Sequence, residues 1–177
     1  TFAIGFNLAD GLEQLDAILA REPDVLETIA GYNCRIKGEV VEIDPNERNQ
    51  RRMLNYGHTI GHAAESVSNY ELLHGEAIAI GIVAAGLIEV EMGLSEPSRL
   101  DRVRRILGKL GVPVKLPAHL DEKKLIDILK HDKKAVDKWP KFVLISRLGQ
   151  VHCPEGQYAV DVSREIVEKV LKKLKAI

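Results

Sequence analysis

Aromatic residues are scarce in this chain, at 5% of its 177 residues, so it offers few flat side chains on which single-stranded nucleic acid could stack. An excess of charge of either sign is also missing. The net charge is −1, which leaves no basic field for a phosphate backbone and no acidic tail. Cysteine is limited to Cys34 and Cys153, far apart and in no metal-type spacing. That excludes a disulfide framework and points to reduced thiols in a cytoplasmic protein. Long apolar runs are lacking too. The longest, Ala77–Ile88, is interrupted by two glycines and spans about twelve residues, where a bilayer takes about twenty, so no membrane segment is expected. No G-x-G-x-x-G, no βαβ alternation and no internal repeat is present, so nothing here resembles a dinucleotide fold. The chain opens Thr1-Phe2-Ala3-Ile4, with neither an initiator Met nor a charged leader, which suggests a piece of a longer polypeptide without a signal peptide.

What is present is an ordinary globular balance, 45% apolar and 29% charged, at a length suited to a single domain over residues 1–177. A chain of this size buries about 70% of the surface it exposes when unfolded. Most of it reads as helix. Leu12, Leu15, Ile18 and Leu19 have helical spacing over Asp10–Leu19. Pro23 suits the first turn of a second helix running to about Val41, and Asp44-Pro45-Asn46 is a break. Arg51–Ser68 reads as a third helix. Glu76–Met92, apolar nearly all round, reads as a buried fourth with Gly93 as its stop. Ser95-Glu96-Pro97 opens a fifth helix that ends before Gly111, and Asp121 caps a short sixth to about His131. Lys141–Ile145 and Val151–Cys153 flank a turn and predict one small hairpin, and Ser163 caps a last helix to Leu174. The expected fold class is mainly α, a helical bundle with a small β-hairpin.

The chemistry concentrates in Asn55-Tyr56-Gly57-His58-Thr59-Ile60-Gly61-His62 and in His74-Gly75-Glu76. His58 and His62 lie four apart, on one helical face. His74 enters the next helix, so three imidazoles can converge as metal ligands do in bundle cores, and imidazole suits zinc and related divalent ions. An i, i+4 histidine pair alone is commonly just a solvated pair. Two features add weight. Gly57 and Gly61 each precede a histidine in what reads as mid-helix, where a glycine costs about 1 kcal/mol against alanine. His74 also borders a very apolar helix, an awkward place for an unpartnered imidazole. Lys37, Arg51, Asn55, Lys133 and Lys134 are donors suited to a small anionic, oxygen-rich substrate. Arg51, Asn55 and His58 follow one another at four and three residues, which predicts one helical face shared with His58 and His62.

These motifs resemble the central block of the 3-dehydroquinate synthases. The resemblance runs through Cys34–Val41, Arg51, Leu54–Ala63, Glu65 and Leu73–Gly81, and a later His131-Asp132-Lys133-Lys134 segment resembles the family's Asp-Lys-Lys run. The combination of His-Thr-x-Gly-His with Leu-His-Gly-Glu carries most of its specificity. The resemblance implies the C-terminal, metal- and substrate-binding domain of an enzyme that converts 3-deoxy-D-arabino-heptulosonate 7-phosphate to 3-dehydroquinate with phosphate release, in the shikimate pathway. It implies NAD and a divalent metal, zinc or possibly cobalt, as cofactors, and a homodimer when full length. By position, His58 and His74 match metal ligands and His62 a proton-transfer residue. Lys37 matches a catalytic position, and Arg51, Asn55 and one or both of Lys133 and Lys134 match substrate contacts.

The family's third ligand, a Glu in a Glu-x-x-Lys motif, lies ahead of the segment matching Thr1–Gly5, and no such motif opens this chain. The expectation is therefore a chain without the NAD-binding domain and inactive by itself. Two other readings stay open. One is a cyclase like 2-deoxy-scyllo-inosose synthase, which shares the motif pattern; the other is a non-catalytic helical metal-binding module.

Overall fold

The fold is organised by one helix, α4 (His74–Glu91), whose sequence is apolar on every side. A helix of that kind finds no stable place at a surface, and here Ile80, Val83, Ala84 and Ile88 are wholly buried. The computed structural model describes residues 15–130 and 139–177. The remaining helices with described bounds are α1 (Leu15–Leu19), α2 (Pro23–Ile43), α3 (His58–Val67), α5 (Pro97–Lys109), α6 (Glu122–Lys130) and α7 (Arg164–Ala176). Around α4 pack α3, α5 and α7, while α6 closes the bundle against α3 and α7. The core continues into Leu125 of α6 and into Val167, Val170, Leu171 and Leu174 of α7. Burying each such side chain stabilises by about 1.5–3 kcal/mol, so this layer, and not surface pairing, holds the bundle. No helix among the described residues is long and apolar enough to cross a membrane.

The helical bundle with a small hairpin agrees with the expected fold class, with three local differences. The predicted third helix is two elements. A 3-10 turn spans Gln50–Asn55, Tyr56 is extended (φ −57, ψ 126), and α3 begins only at His58. Gly57 between them is left-handed (φ +78), a conformation that ends one helix and starts another. Helix α4 starts at His74, two residues earlier than expected, because the Glu76 carboxylate reaches back to accept from Leu73 N–H at 2.9 Å. The hairpin is shorter and closer to its turn than the expected Lys141–Ile145 and Val151–Cys153. Strands β1 (Ile145–Arg147) and β2 (Gln150–Val151) are antiparallel, with Ile145 opposite Val151. The apolar run before them serves the core instead: Phe142, Val143 and Leu144 are buried, and Phe142 makes one isolated bridge with Val160. The backbone of this run is bonded to two different segments, Phe142 to Val160 in both directions and Leu144 to His152, so it does not extend one regular ladder.

The capping signals behave as expected. Ser163 accepts from Ile166 N–H at 3.4 Å at the start of α7, and Pro97 occupies the first turn of α5. Helix α2 runs two residues past its expected end at Val41, to Ile43.

Candidate metal centre

Glycines set the distance between α3 and α4. A Cβ on Gly81 would lie 1.9 Å from the carbonyl oxygen of Gly57 and 2.8 Å from the nitrogen of Gly61. A Cβ on Gly61 would lie 2.9 Å from Ile78 Cδ1 and 3.0 Å from the carbonyl oxygen of Ala77. The two backbones are thus in contact, as only residues without side chains allow. The pairing also gives direction. Moving up α3 from Gly57 to Gly61 moves down α4 from Gly81 to Ala77, so the helices are antiparallel. Continued by one more turn, the same seam brings residue 65 opposite the start of α4.

Each of these α3 glycines is followed by a histidine. One residue around a helix is about 100°, so His58 and His62 stand beside the seam at its rim. His74 heads α4, two turns below Gly81, on the same face. The three rings meet there. Their centroids are 5.3 Å (His58–His62), 5.8 Å (His58–His74) and 5.6 Å (His62–His74) apart. One ligand atom from each lies within 4.8 Å of the others. His58 is half-buried, while His62 and His74 are exposed. Neutral imidazole is the ligand form, and burial pushes the His58 ring below its ordinary pKa, helped by its two histidine neighbours and opposed by the Tyr56 carbonyl. His58 Nδ1 sits 3.1 Å from that carbonyl oxygen and His74 Nδ1 3.5 Å from Glu65 Oε1. Three imidazole nitrogen donors close together at an accessible rim fit a borderline divalent ion of the zinc or cobalt type.

Behind His58 lies a buried polar node that the sequence did not announce. Glu89 of α4, 1% exposed, accepts from Ile145 N–H at 2.7 Å and from Arg99, which also donates to the Ile145 carbonyl at 3.1 Å. Tyr56 O–H lies 3.5 Å from the same carboxylate. Burial pushes the Glu89 carboxyl up to about 7, against the pull of the Ile145 N–H and of Arg99. The node ties α4, α5 and β1 to the residue whose carbonyl faces His58. Glu89, set in the otherwise apolar stretch from Ala77 to Val90, is the one signal that could have revealed it.

The predicted donors are placed differently. The 3-10 turn and the left-handed Gly57 break the helical count, so Arg51 and Asn55 do not continue the face of His58 and His62 as expected. Arg51 Nη1 donates to the Pro45 carbonyl at 2.8 Å, and Asn55 Nδ2 to Glu47 Oε1 at 2.6 Å. Asp44, accepting from Arg48, Asn49 and Arg51 N–H, folds that loop and is held below its ordinary pKa by those hydrogen bonds. Lys37 is exposed on α2, which packs on the 3-10 turn. Lys133 and Lys134 lie outside the described residues. Gly57, read as a mid-helix residue, is instead the left-handed hinge before His58.

Known proteins of the same kind carry the same stretch. A family profile described as 3-dehydroquinate synthase C-terminal matches residues 4–135. A 3-dehydroquinate synthase from Nostoc sp. is 38% identical over 170 residues, which is 96% of this chain and 46% of that protein. One from Ruminiclostridium cellulolyticum is 43% identical over 159 residues, 90% of this chain and 43% of that protein. The chain thus spans about half the length of the curated relatives it matches. A solved structure of 2-deoxy-scyllo-inosose synthase with carbaglucose-6-phosphate, NAD+ and Co2+ superposes with a TM-score of 0.77 at 27% identity, over 85% of this chain and 42% of that one. The 2-epi-5-epi-valiolone synthase of Streptomyces hygroscopicus subsp. jinggangensis, with NAD+ and Zn2+ bound, does so with 0.72 at 26% identity, over 94% and 46%. This chain belongs to the 3-dehydroquinate synthase C-terminal family.

Proposed function

We propose that this chain is the metal- and substrate-binding part of a 3-dehydroquinate synthase, acting on 3-deoxy-D-arabino-heptulosonate 7-phosphate together with an NAD-binding part that the chain itself does not contain. The observation that carries the reading is the meeting of three imidazoles within 4.8 Å at the rim of the α3–α4 seam. When bound, a divalent metal supplies a Lewis acid for the alcohol to be oxidised and NAD supplies the hydride acceptor. His58 and His74 are the metal-holding side chains. His62, exposed beside them, is free to take or return a proton at the substrate. By the resemblance, Lys37 serves at a catalytic position, and Arg51, Asn55 and one or both of Lys133 and Lys134 hold the anionic groups, Arg51 and Asn55 exchanging their contacts with the Pro45 carbonyl and Glu47 for substrate. Exposed, unpaired Cys34 and Cys153 fit a reducing cytoplasm. The whole protein is a homodimer on this reading.

Likeness to the inosose synthase favours a second reading, a cyclase acting on a hexose 6-phosphate. Relatives named 3-dehydroquinate synthase match at 38% and 43%, above the 27% of that structure, which ranks the two. Two measurements test the proposal. Calorimetry with Zn2+ and Co2+ on the purified chain is expected to show one site, lost in His58→Ala and in His74→Ala. Joined to the NAD-binding half of a relative, the chain is expected to release phosphate from the heptulosonate phosphate, and to release none by itself. Release from a hexose 6-phosphate alone would favour the second reading.

A further inference from the structure

Glu65 has no assigned role, yet it stands where the α3–α4 seam ends. It follows Gly57 and Gly61 at the same four-residue step, so it occupies the same stripe of α3 one turn further on. The antiparallel pairing that sets Gly57 on Gly81 and Gly61 on Ala77 sets this position against the first residue of α4. Glu65 Oε1 accordingly lies 3.5 Å from His74 Nδ1. The two side chains differ in freedom. That of Glu65 is 19% exposed and that of His74 is 59% exposed. The Glu65 backbone is also pinned, its carbonyl accepting from Tyr70 N–H at 2.9 Å and from Ser68 Oγ at 2.7 Å. A mostly buried carboxylate therefore faces an imidazole that is largely exposed to water. His58 has the corresponding partner in the Tyr56 carbonyl.

We infer that Glu65 is a positioning residue that holds the His74 ring by its Nδ1–H, leaving the Nε2 lone pair free for the metal. A carboxylate on the far nitrogen fixes both tautomer and ring orientation and raises the basicity of the ligating nitrogen. The inference rests on the metal reading proposed above for its consequence, but the contact itself does not.

The test uses the full chain with Glu65→Ala and Glu65→Gln, and two readouts. In the first, Co2+ and Zn2+ binding is measured by calorimetry, alongside the thermal midpoint of the metal-free protein. Loss of an outer partner of a metal histidine lowers affinity by about 10- to 100-fold. That loss is expected in Glu65→Ala with the metal-free midpoint unchanged. Glu65→Gln, which keeps a carbonyl to accept from Nδ1–H, is expected to recover part of the loss. The second readout is the His74 tautomer in metal-free protein, from nitrogen-15 spectra at a pH where the ring is neutral. Wild type is expected to carry the proton on Nδ1, and Glu65→Ala to shift it toward Nε2. Unchanged affinity in Glu65→Ala, or an affinity loss matched by a fall in the midpoint, would overturn the positioning role. So would an unchanged tautomer. A wild-type chain that binds neither ion would mean that the site needs a ligand these residues do not supply, and the tautomer comparison then decides Glu65 by itself.

Discussion

Helices α2 and α4 are the two longest of the described residues, and they are built in opposite ways. Helix α2 has 21 residues, of which only Val40 is buried; α4 has 18, of which eleven are buried. Leu26 and Ile43 of α2 are 40% and 62% exposed. Helix α2 starts on a local signal, Pro23 in its first turn, and side-chain hydrogen bonds from Thr28 to the Asp24 carbonyl and from Asn33 to the Ile29 carbonyl run along its exposed length. Helix α4 is a helix because every side of it is packed. The glycines differ in the same way. A Cβ on Gly38 of α2 would meet nothing within 4 Å, whereas a Cβ on Gly81 would strike a backbone oxygen. Helical pattern alone thus does not say where a chain is constrained; the site stands on the constrained pair.

The largest expected effect that tests this contrast is Gly81→Ala. A Cβ 1.9 Å from the Gly57 oxygen forces the two helices apart. The expected loss is more than ~4 kcal/mol in denaturant unfolding, in the exceptional range for a single substitution, together with loss of metal binding. A Gly81→Ala chain as stable as wild type would remove the seam from the account.

Next comes Glu89→Ala. It leaves the Arg99 guanidinium, 14% exposed, without its carboxylate. Stripping one partner from a buried pair costs roughly 3 kcal/mol or more, to be read in the same unfolding experiment.

The same carboxyl predicts a pH dependence. Its pKa is raised from 4.5 to about 7 in the folded protein, so the native state holds a proton that the unfolded chain releases. Its contribution to stability is complete below pH 4.5 and is lost as pH rises to about 7. Denaturant unfolding across that window is expected to show this fall in wild type and not in Glu89→Gln.

The smallest effect has the opposite sign. With open space around it and a helical backbone, Gly38→Ala is expected to stabilise by about 0.5–1 kcal/mol. A destabilised Gly38→Ala chain would mean that α2 is packed more closely than its exposure indicates.

Much of the fold was legible in the sequence where a local rule acts alone. Pro23, Pro97, Gly93, Gly111 and Ser163 mark helix ends through their own backbone or side-chain chemistry, and each stands at or next to a helix terminus here. The apolar run from Ala77 marked α4 as buried. The exceptions are places where one residue answers to a distant one. The split before α3 needs Gly57 to be left-handed, and a glycine's φ is not written in its neighbours' periodicity. The short hairpin reflects Phe142–Leu144 entering the core, which no count of β-formers within the segment could show. The shared face expected of Arg51, Asn55 and His58 disappeared for the first of these reasons.

By itself, the sequence determined the family, the helical class and the three histidines, because residue types and short spacings are local properties of the chain. Only the tertiary structure decided that Gly81 receives the Gly57 carbonyl, that Glu89 answers Arg99 and the Ile145 N–H, and that Glu65 faces His74. Those pairings depend on the antiparallel register and close approach of packed helices, and register is a property of two segments together.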